Sequence, residues 1–213
     1  MKNWKFENEI SEVLSKYHCF SRKVDDSGSP YLKGILDIPN DIGNIVGSFS
    51  VEIYPTEKFP YRFPKLFEVG NDIPREADWH KYSDNSCCLT VEPDEILKCK
   101  NGMSIIPFID TIAIPYFANQ LYRIRTGGYL NEYSHGEQGY IEFFTDLIKT
   151  KNQIQWCDYV KFAFGIEKKD IGRNEKCFCG SGMKFKNCHN IVFDKIRQIG
   201  KENILNYLSY IAA

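Results

Sequence analysis

The stretch GRNEKCFCGSGMKFKNCH, residues 172–189, restricts the fold more than any other part of the chain. It sets Cys177, Cys179, Cys188 and His189 into one short segment. A tetrahedral zinc ion needs about four soft or borderline donors at roughly 2.0–2.3 Å, and a Cys3His set supplies them. Gly180 and Gly182 flank Ser181 and allow backbone angles that a side chain forbids, so the chain can reverse in one turn. A disulfide pair plus a free thiol is the competing reading. It suits a secreted chain, whereas this one opens MKNWKFENEISEVL, charged from its second residue and without a signal-peptide pattern. The four residues are therefore read as ligands of one structural Zn2+, without which the tail is expected to be disordered.

The same string resembles the SEC-C motif, a small zinc-binding tail found on a bacterial translocase and on many otherwise unrelated bacterial proteins. Gly172, Arg173, Asn174, the ligands, the Gly-Ser-Gly turn and Lys184 carry the resemblance. It implies a module that tethers its host to a partner and leaves the host's own activity open.

Composition narrows the remainder. Aromatic residues make up 15% and hydrophobic residues 43%, which argues for a packed core and against disorder. Net charge is −1, so neither nucleic acid nor an anionic membrane is called for by the total. Residues 161–213 are mildly basic, carrying ten Lys and Arg against five Asp and Glu, and read as a solvated surface. Eight cysteines without a signal peptide imply a reducing compartment, and a cytoplasmic location is expected. The most apolar run, Ile105 to Ala118, contains Pro107, Asp110 and Pro115 and is too short to span a bilayer.

Periodicity gives the order of elements. Phe6, Ile10, Val13, Leu14 and Tyr17 recur at helical spacing, predicting a helix over 3–18. Strand-like runs follow at 31–38, 45–55 and 65–70, separated by turn residues such as PNDIGN, and predict an antiparallel meander of three or four strands. Residues 71–103 read as loop around an apolar half-strand from Cys87 to Val91. Ser104 is placed to cap the next helix, with Pro107 in its first turn and Pro115 as a kink. Further helices fit 137–149 and 152–163, and a closing helix is interrupted near Gly200. Arg123, Arg125, Gly127 and Gly128 read as a helix end and turn. The class is α+β: an antiparallel meander flanked by helices, plus a small C-terminal zinc module and helix.

Two segments carry a second resemblance. Phe59-Pro60-Tyr61-Arg62-Phe63-Pro64-Lys65 follows the meander, and Asp84-Asn85-Ser86-Cys87-Cys88-Leu89 forms a polar turn leading into Cys-Leu. In this order they resemble ubiquitin-conjugating enzymes, whose meander is followed by a Tyr-Pro-Phe-x-Pro-Pro segment, a His-Pro-Asn element and a cysteine that carries ubiquitin as a thioester. The segment EYSHGEQGYIEFF, 132–144, is similar to bacterial members of that superfamily, found in antiviral and ubiquitin-like operons. The resemblance covers roughly residues 1–150. It implies a conjugating-enzyme-like domain over 1–165, with the zinc tail and closing helix over 166–213, and residues 1–160 are expected to stay folded without that tail.

Carried over residue by residue, the resemblance makes Cys88 the acyl-carrying thiol. Where the family has His-Pro-Asn, this chain has His80-Lys81-Tyr82. The family's asparagine supports the oxyanion or the active-site loop, and losing such a donor costs about 3–4 kcal/mol. His80, Asn85 and His135 are the expected substitutes, and Asp84 or Glu92 could help deprotonate an attacking amine. Side chains alternate along a strand, so only one of Cys87 and Cys88 should reach the site. Cys88 is expected to be partly exposed and partly ionised, and Cys87 buried and inert.

The leading expectation is an acyltransferase. Cys88 would accept the C-terminal glycine of a ubiquitin-like modifier or partner protein from an activating enzyme and pass it to a nucleophile, while the zinc tail recruits a target. The alternative is a non-catalytic adaptor of the same fold, binding a modifier or partner chain with the zinc module as tether. A weaker reading is a zinc adaptor linked to translation or secretion.

Overall fold

A computed structural model describes residues 3–130, 132–167 and 171–211. They divide into two compact units. One runs through Thr90 and resumes over Lys98–Glu132; the other takes in Val91–Leu97 and the described chain from Tyr133 onward.

In the first unit, helix α1 spans Trp4–Lys16 and buries the Phe6, Ile10 and Val13 stripe. Asn3 caps it: its side chain accepts from the Phe6 amide at 3.1 Å and donates to the Thr56 and Phe59 carbonyls, which ties the helix to the proline-aromatic segment. The sheet has strands β1 (Phe20–Val24), β2 (Pro30–Pro39), β3 (Ile45–Tyr54) and β4 (Lys65–Glu68), antiparallel and in sequence order. Its inward positions are Leu32, Leu36 and Ile38 on β2, Phe49, Val51 and Ile53 on β3, and Leu66 on β4. Strand β1 was not legible in sequence because only its first residue is buried, so it carries no apolar alternation. Gly34 lets β1 begin: a Cβ there would lie 2.5 Å from the Cys19 carbonyl oxygen.

The region read as loop contains helix α2 (Glu92–Cys99), whose residues are shared between the two units. Cys87 to Val91 forms no strand; isolated bridges join Phe67 to Ser86 and Lys81 to Cys87 instead. Next come α3 (Ile105–Phe108), a π-helical segment (Ile109–Ala113) and α4 (Ile114–Thr126). The wide turn precedes Pro115, which has no amide to donate and whose ring crowds the turn before it. Ser104 occupies the N-terminal cap position of α3, yet its side chain makes no capping bond. Glu9 of α1 does that work, its carboxylate accepting from the Ile105 amide at 2.7 Å. Phe117 of α4 stacks on Phe49 of the sheet, with centroids 4.6 Å apart. Gly127, at φ 83°, ends the helix.

The second unit is helical: α5 (Gly136–Ile148), α6 (Gln153–Ala163), α7 (His189–Ile199) and α8 (Lys201–Ile211). Phe144, Trp156, Ile196 and Ile204 are its fully buried centre. Helices α5 and α6 therefore share a core with the metal-ligand segment and the closing helices, whereas the sequence grouped them with the meander. The fold is mixed α+β with a four-stranded antiparallel sheet. No helix among the described residues is long and apolar enough to cross a membrane.

Candidate active site and metal centre

One face of α4 shapes the thiol site. Tyr116, Gln120 and Arg123 follow at helical spacing and meet three successive carbonyls. Tyr116 Oη donates to the His80 carbonyl at 3.0 Å, Gln120 Nε2 to Trp79 at 3.2 Å, and the Arg123 guanidinium to Asp78. Arg123 also covers the Trp79 ring, 4.1 Å from its centroid. Held this way, His80 takes a left-handed backbone (φ 51°) and is buried, with Nε2 3.2 Å from Glu132 Oε2. Burial pushes the Glu132 carboxyl up to about 7, although the Asn119 side chain and Arg123 pull the other way.

The turn that follows sets the register of the two thiols. The Tyr82 amide donates to Ser86 O and the Asn85 amide to Tyr82 O, both at 2.9 Å. Asn85 sits at the corner with φ 65°, a conformation that asparagine tolerates, so its residue type has a backbone reason. Asp84 accepts from Lys65 Nζ at 2.6 Å and from the Ser86 hydroxyl and amide, and these bonds hold its carboxyl down to about 2. It is a structural anion and a poor base. Glu92, the other expected helper, opens α2.

Lys81 bridges to Cys87, and the Cys88 amide donates to His80 O at 2.8 Å. Alternation then sends Lys81 and Cys87 into the core, where Lys81 pairs with buried Glu68 at 3.8 Å. Cys88 turns the other way and is half-buried. A ring nitrogen of His80 lies within 4.8 Å of its sulfur. Burial raises the Cys88 thiol above its ordinary value; a hydrogen bond from the Tyr82 side chain opposes the rise and the Glu132 charge adds to it. The expected partly ionised thiol is thus a protonated one, because desolvation outweighs the single donor. Cys87 is raised by burial as well.

Of the residues expected at this site, Cys88, His80 and Asn85 lie on one loop of the first unit. His135 belongs to the second, at the cap position of α5 with extended backbone (φ −79°, ψ 156°). Sequence reasoning passed over Tyr82 and Glu132. Glu132 lay within a segment singled out for other reasons, and no local pattern connects it to His80.

The candidate metal centre is built in the second unit by a hairpin and a helix start. The Cys177 amide donates to Met183 O at 2.7 Å, the Phe185 amide to Glu175 O at 2.8 Å, and Lys176 bridges Lys184. Gly180 and Gly182, at φ 78° and 73°, close the turn. A short 3-10 turn, Phe185–Asn187, then delivers Cys188 and the first residue of α7, His189. The donor atoms of Cys177, Cys179, Cys188 and His189 lie within 4.8 Å of one another. Cys177 Sγ is 3.1 Å and Cys188 Sγ 3.4 Å from His189 Nδ1, and Cys179 Sγ is 3.6 Å from Cys188 Sγ. Donors on a tetrahedral zinc stand about 3.6–3.8 Å apart, so the set fits with little adjustment. Burial raises the Cys179 thiol, but bonds from Ser181 and the neighbouring sulfurs outweigh it and bring it down to about 7. A thiolate is thus accessible near neutral pH, as metal ligation requires. A Cys3His set fills a tetrahedral ion's positions, which suits a structural role.

Comparison with known proteins bears on this centre. The SEC-C motif, a zinc-binding motif, matches residues 173–190. A 43-residue stretch is 46% identical to the protein translocase subunit SecA of Ehrlichia chaffeensis, covering 20% of this chain and 5% of that protein.

Proposed function

We propose that the chain is a ubiquitin-conjugating-enzyme-like acyl carrier working through Cys88, with a structural zinc module that binds a partner or target. What carries the reading is the unequal setting of two adjacent thiols: Cys87 is packed in the core, while Cys88 meets the Tyr82 side chain and lies near the His80–Glu132 pair. In loading, the Cys88 sulfur attacks the thioester carbonyl of a glycine-terminated modifier held on an activating enzyme. A new C–S bond forms, the old one breaks, and the activating enzyme's thiolate leaves. The Cys88 proton passes to His80, directly or through one water, and then to the leaving sulfur. Glu132 steadies the imidazolium formed in between. In transfer, an amine attacks the Cys88 thioester, the Cys88 thiolate leaves, and the amine proton returns through His80. The Tyr82 hydroxyl is placed to donate to the sulfur in both steps.

Intact-mass spectrometry after incubation with an activating enzyme, ATP and a glycine-terminated modifier tests this. A thiol-cleavable adduct should form on the wild type and on Cys87→Ala and be absent from Cys88→Ala. Adduct retained by Cys88→Ala overturns the assignment. The raised Cys88 thiol favours a second reading, a non-catalytic adaptor that binds the modifier without a covalent bond. Stable complex formation with no adduct on any variant would select it.

A further inference from the structure

We infer that Tyr159 of α6 is a positioning residue for the metal centre, fixing the His189 imidazole so that Nδ1 faces the sulfurs. This rests on the structural-zinc reading and is independent of the Cys88 chemistry. Tyr159 lies outside the matched motif at 173–190, on a helix that supplies no ligand. Its ring stacks face to face on the imidazole, with centroids 4.8 Å apart and planes only 8° from parallel. The neighbouring rings are disposed differently: Tyr159 meets Phe178 at 30° and Phe193 at 56°, and Phe185 meets Phe193 at 69°. Those are the tilted contacts of ordinary aromatic packing. Phe178 and Phe193 come nearer to parallel, at 26°, but their centroids are 6.3 Å apart, so the pair on the ligand is both the closest and the most nearly parallel of this cluster.

A metal-bound imidazole must keep the ion close to its own plane, along the Nδ1 lone pair. Rotation about its side-chain torsion takes the ion out of that plane. The commonest restraint is a hydrogen bond at the second ring nitrogen. Here a ring lies flat on the imidazole, and any such rotation drives one edge of the imidazole into it. Phe178, with its centroid 4.9 Å away, adds a further contact from the hairpin between the ligands. The Tyr159 helix is anchored in its turn: Trp156 is fully buried beside it, and Arg197 of α7 donates to the Ala163 carbonyl at 2.9 Å.

Zinc content and affinity of the full chain decide the matter. The wild type should hold about one zinc ion; a metal-free protein overturns the zinc reading itself, separately from this inference. In a competition titration with a chromophoric chelator, Tyr159→Phe should keep wild-type affinity, because the stacked ring remains. Tyr159→Leu should bind zinc about 10–100-fold more weakly, the usual effect of removing an outer restraint on a ligand. Wild-type affinity in Tyr159→Leu overturns the proposal, as does equal weakening in both variants. Should Tyr159→Leu fail to fold, proton NMR of the zinc-loaded wild type decides. The His189 ring protons should lie upfield of an unstacked zinc-bound imidazole, and unshifted signals overturn it. Cobalt substitution gives a further readout, since Tyr159→Leu should alter the ligand-field absorption and Tyr159→Phe should not.

Discussion

Folding changes the chemistry of Glu132 directly. Its ordinary value is 4.5, and burial lifts it to about 7. The folded chain therefore holds that proton more tightly than the unfolded chain does. The stabilisation from this group is complete below about pH 4.5 and is lost as the pH rises through about 7. Carbon-detected titration of labelled glutamate should show one carboxyl with a midpoint near 7 that is missing from Glu132→Gln; a wild type with every midpoint near 4.5 would contradict it. Asp84, in the same unit, is driven the opposite way by Lys65 and Ser86. One carboxyl is kept near neutrality and the other is fixed as an anion, which separates a candidate acid–base group from a turn-builder. Residue type alone made the two look alike. Cys87 and Cys88 differ in exposure as their alternation predicted, and the register of a single bridge fixes which is which.

At the scale of elements, α4 holds the thiol loop through one face. Gln120 is fully buried, donates to Trp79 O, and accepts from the Tyr129 hydroxyl at 3.3 Å. Gln120→Met keeps the volume but leaves a part-buried carbonyl without its donor, at a cost of about 1 kcal/mol. Chemical denaturation should show that loss in the first unit with the zinc content unchanged. Hydrogen exchange at the Cys88 amide, which bonds to His80 O, should speed up. A variant with wild-type stability and exchange would mean that the Tyr116 and Arg123 contacts suffice. The apolar run from Ile105 to Ala118 predicted this helix. The shared role of Tyr116, Gln120 and Arg123 was not legible because its partners are backbone carbonyls, which have no sequence signature.

For the whole molecule, the placement of α5 and α6 changes what truncation should do. Cutting after Gly165 removes Phe193, Ile196, Ile199 and Ile204, the partners of Phe144 and Trp156. Each large side chain left exposed costs about 1.5–3 kcal/mol, which soon exceeds the roughly 5–15 kcal/mol that holds a domain together. The truncated chain should keep amide protection in β2 and β3 and lose it in α5 and α6, in contrast to the sequence-based expectation that residues 1–160 survive intact. Chelating the zinc should act in the same direction, and NMR of the chelated chain should show α7 broadened while the sheet signals persist. Retained protection in α5 after truncation would refute this account of the core. The sequence by itself determined the Cys3His cluster and its turn, the first helix, three of the strands, and the break at Gly200. In each case the physical cause acts within a few residues: ligand spacing, periodicity, or a glycine's freedom. Only the tertiary structure decided which helices share a core with the Cys3His segment, which carbonyls α4 holds, that burial raises the Cys88 thiol, and that Glu132 meets His80. Those outcomes depend on burial and on contacts between distant segments, and desolvation acts on a group only after the rest of the fold has closed around it.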